Sequence, residues 1–168
     1  MCVREATEHD IESIADVIVK TWKSSYRGLI NDDYLDNMKP ARHIAIFSSE
    51  IQKGETDFFV YEENNSTISG VCIGCPLKNE KWECELRAIY VLDEYQGKGI
   101  GKALITEFAR KQRMRGLKSM ILWTLENNPS KGFYKKLGGE EQLEKKEIEI
   151  GSVKYSIVAF VWNDVSIL

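Results

Sequence analysis

The sequence predicts a mixed α/β fold, one sheet with helices on its faces. Three observations predict it. Early in the chain the apolar residues follow helical spacing, the middle changes to the alternation of paired strands, and a glycine-rich turn then joins a strand to an amphipathic helix.

At 168 residues the chain fits a single domain over 1–168, large enough to bury a core without metal or disulfide staples. With 43% hydrophobic and 29% charged residues it reads as a soluble globular protein. A net charge of -3 offers no broad basic field, so nucleic acid is not the expected partner. "MCVREATEHD" lacks the apolar core of a secretory signal, and no apolar run reaches membrane-spanning length. A cytoplasmic location and no membrane partner are expected. A homodimer is compatible with the sequence without being derived from it.

Thr7 is placed to cap a helix over about 8 to 24, with Ile11, Ile14, Ala15, Ile18 and Trp22 on one face. "YRGLINDDYLDNM" breaks that pattern and starts a second helix near Asp32. A third follows Pro40 and ends near Gly54. "DFFVYEE", the turn "NNS" and "TISGVCIG" then read as a hairpin, which "WECELRAIYV" extends. The helix after the glycine turn carries Ile100, Ala103, Leu104 and Phe108 on one side. Its last turn holds Arg110, Lys111, Arg113 and Arg115, cations that complement the helix dipole.

"SMILWTL" is nearly all apolar, as in a strand covered on both faces. Pro129 suits the first turn of a helix through "SKGFYKKL", stopped at Gly138 and Gly139. "LEKKEIEIG" and "KYSIVAFVW" close the sheet as a hairpin around Gly151 and Ser152. No metal site is expected: Cys72 and Cys75 fall on opposite faces of a strand, and Cys2, Cys84, His9 and His43 complete no ligand set.

"YQGKGIGKALI" carries the chemistry. Glycines that open a helix expose unpaired N–H groups beside a partial positive charge, a setting that favours phosphate. Two nucleotide motifs fail on spacing. A P-loop needs one more residue between its glycines and a hydroxyl after the lysine, where Ala103 stands, and the dinucleotide fingerprint needs a glycine where Lys102 stands. What remains is Q-x-x-G-x-G, spelled by Gln96, Gly99 and Gly101, followed downstream by "ENNPSKGFYKKLGG".

Those two ordered motifs closely resemble the acyl-CoA signatures of the GNAT superfamily of N-acetyltransferases, and the resemblance covers essentially the whole chain. It implies an α+β fold: a mostly antiparallel twisted sheet of about seven strands with about four helices, its central strands splayed to hold acetyl-CoA. Backbone N–H groups from Gln96 through Gly101, with Gly97 and Gly99 between them, would cradle the pyrophosphate, and Lys98 and Lys102 would add charge. Ile89 and Val91 would pair through their backbone with the pantetheine arm, as an added strand does. One of their N–H groups would polarise the thioester carbonyl. Asn127, ahead of Asn128, and Ser130 would also touch the cofactor.

The resemblance further implies direct transfer to a primary amine, with no covalent enzyme intermediate. Tyr134 is expected to protonate the departing thiolate, on the ground that a phenol at about 10 stands above a thiol at about 8.5. Glu85 is the expected base, with Glu83 as its rival. Trp22, Tyr26, Asp32 and Asp33 are placed to frame a cationic acceptor. Gly139 stands where the family has phenylalanine, a departure expected to reshape the acceptor pocket. A small-molecule amine is the favoured acceptor; a protein amine, or a sensor that binds acetyl-CoA without turnover, are the other readings.

Overall fold

The computed structural model describes residues 1–78 and 81–168. The chain runs β1 (Cys2–Glu5), α1 (Ile11–Ser25), α2 (Asp32–Asn37), α3 (Pro40–Lys53), β2 (Asp57–Glu62), β3 (Ile68–Pro76), β4 (Cys84–Val91), α4 (Ile100–Met114), β5 (Met120–Leu125), α5 (Lys131–Lys136), β6 (Glu140–Ile150) and β7 (Val153–Trp162). The strands form one seven-stranded sheet in the order β1-β2-β3-β4-β5-β7-β6. Every neighbouring pair is antiparallel except β4 and β5. No helix among the described residues is long and apolar enough to cross a membrane.

Helices cover the sheet on both faces. α1 and α3 bury Ile11, Ile14, Ile18 and Phe47 against Val60, Val71 and Ile73. On the other face α4 and α5 bury Leu104, Phe108 and Tyr134 against Cys72, Leu86, Leu122 and Phe160. The cations at the end of α4 do more than complement a dipole. Arg115, Lys111 and Gln112 all reach the buried Asp57 at the start of β2, Lys111 at 3.0 Å and Gln112 at 2.8 Å. Burial by itself would raise Asp57, but hydrogen bonds from Arg115, Gln112 and Lys111 hold it below the ordinary carboxylate value. This contact ties down the C-terminal end of α4.

Several boundaries differ from the sequence reading. β1 has no counterpart there: it is a four-residue edge strand whose pattern carries little signal, and pairing with β2 creates it. A single 3-10 turn over Glu8–Asp10 precedes α1, because the Asp10 carboxylate reaches back to accept the Thr7 N–H at 2.7 Å. α5 starts at Lys131, after Pro129, because the Asn128 side chain accepts the Ser130 N–H at 2.8 Å and holds the preceding turn. Glu83 lies before β4. Its carboxylate accepts the N–H groups of Lys118 and Ser119 at 2.6 and 2.9 Å, pinning the loop that enters β5.

Candidate active site at the parted strands

β4 and β5 begin as neighbours and then separate. Their ladder consists of Cys84↔Met120 and Glu85↔Ile121, after which each strand continues without the other. β4 stays with β3, and β5 stays with β7 as far as Leu125. The parting opens a cavity of about 380 Å³ walled by the far halves of both strands, the start of α4, α5 and the end of α1.

Backbone direction along β4 matters here. The Leu92 N–H donates to the Ser69 carbonyl at 2.9 Å, toward β3, so strand alternation turns the N–H groups of Val91 and Ile89 toward the parting. The Val91 carbonyl on that side accepts the Gln96 side-chain amide at 3.0 Å.

The glycine turn closes one end. Gly97 and Gly99 have φ of 73° and 83°, left-handed values that favour glycine, and a Cβ on either would meet no protein atom within 4 Å. The amides of Gly97 through Lys102 donate to no acceptor among the described residues. Gln96 differs from the expectation, since its own N–H closes a turn on Asp93 at 3.2 Å, and the open run of donors therefore starts one residue later. Gly101 and Lys102 line the cavity, Gly101 against the Phe133 ring. Lys98 does not; its ammonium sits over the Tyr95 ring at 4.9 Å.

Tyr134 lines the cavity, 6% exposed, with its ring 5.3 Å from Phe160. Burial pushes its phenol well above the ordinary tyrosine value, with smaller contributions from Tyr26 and Cys72. The ordinary acidities already bear on the expected role. An acid weaker than the thiol it is meant to protonate donates uphill, and burial widens the gap. A hydroxyl that stays protonated is suited instead to donate a hydrogen bond to a developing thiolate.

The other expected residues divide. Ser130 is on the wall, and so is Asn128, whose amide donates to Thr124 at 2.6 Å; Asn127 is exposed. Tyr26 is on the wall, with Trp22 packed edge-on at 5.0 Å behind it. Asp32 is not; it accepts the Gly28 N–H at 3.2 Å and pairs with Arg27. Asp33 faces a different recess between α2, α3 and the β6–β7 turn.

Glu85 lines a recess of about 350 Å³ with Trp82 and Trp123, and Trp123 borders both that recess and the cavity. Gly139 lies away from the cavity, where a Cβ would come within 2.6 Å of the Trp162 ring. The Trp162 ring fills the place beside Gly139, and the same Cβ would sit 3.0 Å from the Tyr134 carbonyl. Among the described residues no cluster of His, Cys, Asp or Glu is placed to hold a metal.

Sequence reasoning missed several wall residues, among them Thr21, Arg87 and Tyr90. Thr21 and Tyr90 show no pattern that separates them from ordinary helix and strand residues. Arg87 depends on a β-bulge, since the β3–β4 register shifts between Ile73 and Gly74 and leaves Arg87 unpaired between Leu86 and Ala88.

The sheet parts between two parallel strands, with the open amides of a helix start at the mouth, and so offers an unpaired strand edge to an added extended segment and an anion site at its end. Residues 54–138 match the model of the acetyltransferase (GNAT) domain. The chain is 33% identical over 168 residues to an uncharacterized N-acetyltransferase of Bacillus subtilis, YuaI, covering 99% of this chain and 95% of that one. It is 25% identical to the spermidine N(1)-acetyltransferase of Thermoplasma acidophilum over 81% of this chain and 86% of that protein. Among solved structures, the PaiA N-acetyltransferase of Thermoplasma acidophilum in complex with coenzyme A superimposes with a TM-score of 0.74 at 23% identity, covering 94% of this chain and 96% of that one. The chain belongs to the GNAT family of acetyltransferases.

Proposed function

We propose that the protein transfers an acetyl group from acetyl-CoA to the primary amine of a small molecule. The observation that carries this is the unpaired inner edge of β4, which leads directly to the open amides at the start of α4. Coenzyme A needs both features, donors for its amides along the arm and donors for its diphosphate at the end. The amides of Gly97 through Lys102, with the Lys102 ammonium, take the diphosphate; Ile89 and Val91 pair with the arm. Asn128 and Ser130 border the same path.

The chemistry then needs no protein nucleophile. The amine nitrogen attacks the thioester carbon, a C–N bond forms, the C–S bond breaks, and the proton lost by nitrogen balances the thiolate that leaves. A β4 N–H from Ile89 or Val91 holds the carbonyl oxygen as it gains charge, and Tyr134 donates a hydrogen bond to the sulfur. Glu85 is the proposed proton acceptor, acting through water from the recess beyond Trp123. A small acceptor agrees with the name of the spermidine-acetylating relative.

The test is free-thiol release from acetyl-CoA with a panel of small amines and peptides, alongside a coenzyme A titration. Turnover with a small amine is expected. Turnover with peptides only would reassign the acceptor, and tight binding without turnover would make the protein a sensor.

A further inference from the structure

We infer that Arg87 and Thr21 form the acceptor subsite, and that the acceptor is an amine that also carries a carboxylate, of amino-acid type, rather than a polycation. This rests on the transferase reading and narrows it.

The charges on the cavity wall come first. Among its described residues the wall holds two cations, Lys102 and Arg87, and no carboxylate. Lys102 stands in the first turn of α4, at the diphosphate end. Arg87 stands on β4 before Ile89, away from the glycine turn. Of the tyrosines on the wall, Tyr26, Tyr90 and Tyr134 are held protonated by burial and supply no charge. A polyamine would bring two or more ammonium groups against a wall with no countercharge, and a desolvated charge without a partner is costly. A carboxylate would instead meet a planar guanidinium that can bind it through two parallel hydrogen bonds.

The fold aims Arg87 deliberately. It is the extra residue of the β3–β4 bulge, and the bulge reverses side-chain parity between Leu86, packed under α4, and Ala88, packed under α1 and α3. Glu50 on α3 braces the guanidinium with bonds of 3.0 and 3.1 Å, using two of its five N–H donors. Glu85 and Cys75 face it at longer range.

Thr21 supplies the second, independent observation. Its residue is 5% exposed on the same wall, and its hydroxyl has no hydrogen-bond partner among the described residues. A buried hydroxyl left unpaired is costly, and a polar group on a bound acceptor would relieve that cost.

The experiment measures thiol release from acetyl-CoA with a free amino acid, its carboxamide, its methyl ester and spermidine. The KM of the free acid is expected roughly tenfold or more below those of the amide and ester, with spermidine the poorest, as the loss of a charge-assisted pair requires. Arg87→Gln should raise the KM for the free acid by roughly tenfold and leave the Kd for coenzyme A unchanged. Glu50→Gln should leave that KM equal or lower it, because it removes a competing carboxylate. A pair with a purely structural role would make both variants lose activity alike, and that result overturns the proposal. If Arg87→Gln fails to fold, the acid-to-amide ratio decides. An amide or spermidine consumed as well as the acid overturns the subsite alone; coenzyme A binding with no turnover of any amine overturns the transferase reading and the subsite with it.

Discussion

The Gln96 side-chain amide donates to the Val91 carbonyl at 3.0 Å and to the Asp93 carboxylate at the same distance. One side chain thereby fixes the glycine turn to the strand that borders the parting. The sequence motif names this glutamine, yet its backbone N–H is already spent on the Asp93 carbonyl, so its place in the motif is that of a brace.

Gln96→Ala should therefore raise the Kd for coenzyme A roughly fivefold to tenfold, the worth of about one hydrogen bond, while kcat at saturating cofactor changes little. Gln96→Glu should be worse, since it sets a carboxylate against a carbonyl and a second carboxylate. Isothermal titration with coenzyme A checks both, and a Gln96→Ala protein that binds as tightly as the parent would remove the brace.

Gly99→Val should abolish tight cofactor binding without a steric clash inside the protein. A Cβ at Gly99 meets no protein atom within 4 Å, so the side chain would project into the space before the open amides. Its φ of 83° also adds strain of about 1–2 kcal/mol. Gly116 provides the control: its φ is 82° and its surroundings are equally open, but it ends α4 far from the turn. Gly116→Val should lower the melting temperature to a similar degree and leave coenzyme A affinity intact. Equal loss of affinity in both variants would trace the effect to strain alone.

What the sequence revealed divides along physical lines. Gly97 and Gly99 were legible because a left-handed turn before a helix leaves few residue choices, and the period change near Asp57 was legible because strands and helices repeat differently. β1 was not, since four residues at an edge carry too little pattern and their stability comes from β2. That Asn128 and not Asn127 lines the cavity could not be read, because it depends on a side-chain turn that spacing does not encode. Arg87 was invisible for a similar reason: a bulge shifts parity by one residue, and only the partner strand shows where.

Stability should fall steeply in acid because of Asp10. Its carboxylate receives two hydrogen bonds from Arg4 at 2.8 Å each, and those bonds, ahead of the N–H and hydroxyl of Thr7, lower it from 3.8 to about 2. A depressed carboxylate contributes stability in full above its unfolded value, and loses it as the pH falls through the folded one. The window is therefore pH 3.8 down to about 2, and the contribution is about 2 kcal/mol. Thermal melts across that range should show a decline that Asp10→Asn flattens. A parent and variant with parallel pH profiles would assign the acid sensitivity to another group, Asp57 first.

Tyr134→Phe separates hydrogen bonding to sulfur from simple packing. The ring contacts with Phe133 and Phe160 survive the change, so folding and the coenzyme A Kd should hold near the parent values. Turnover should drop by roughly a hundredfold, the usual scale for removing one positioned hydrogen-bond donor to developing charge. Because burial keeps the phenol protonated, the parent's kcat should show no loss with rising pH that belongs to this residue up to and beyond the ordinary tyrosine value near 10. Acetyl donors with a more acidic thiol leave with less help, so the penalty of the substitution should shrink as the leaving-group pKa falls. A penalty that is constant across such donors would mean that the hydroxyl acts on something other than the departing sulfur.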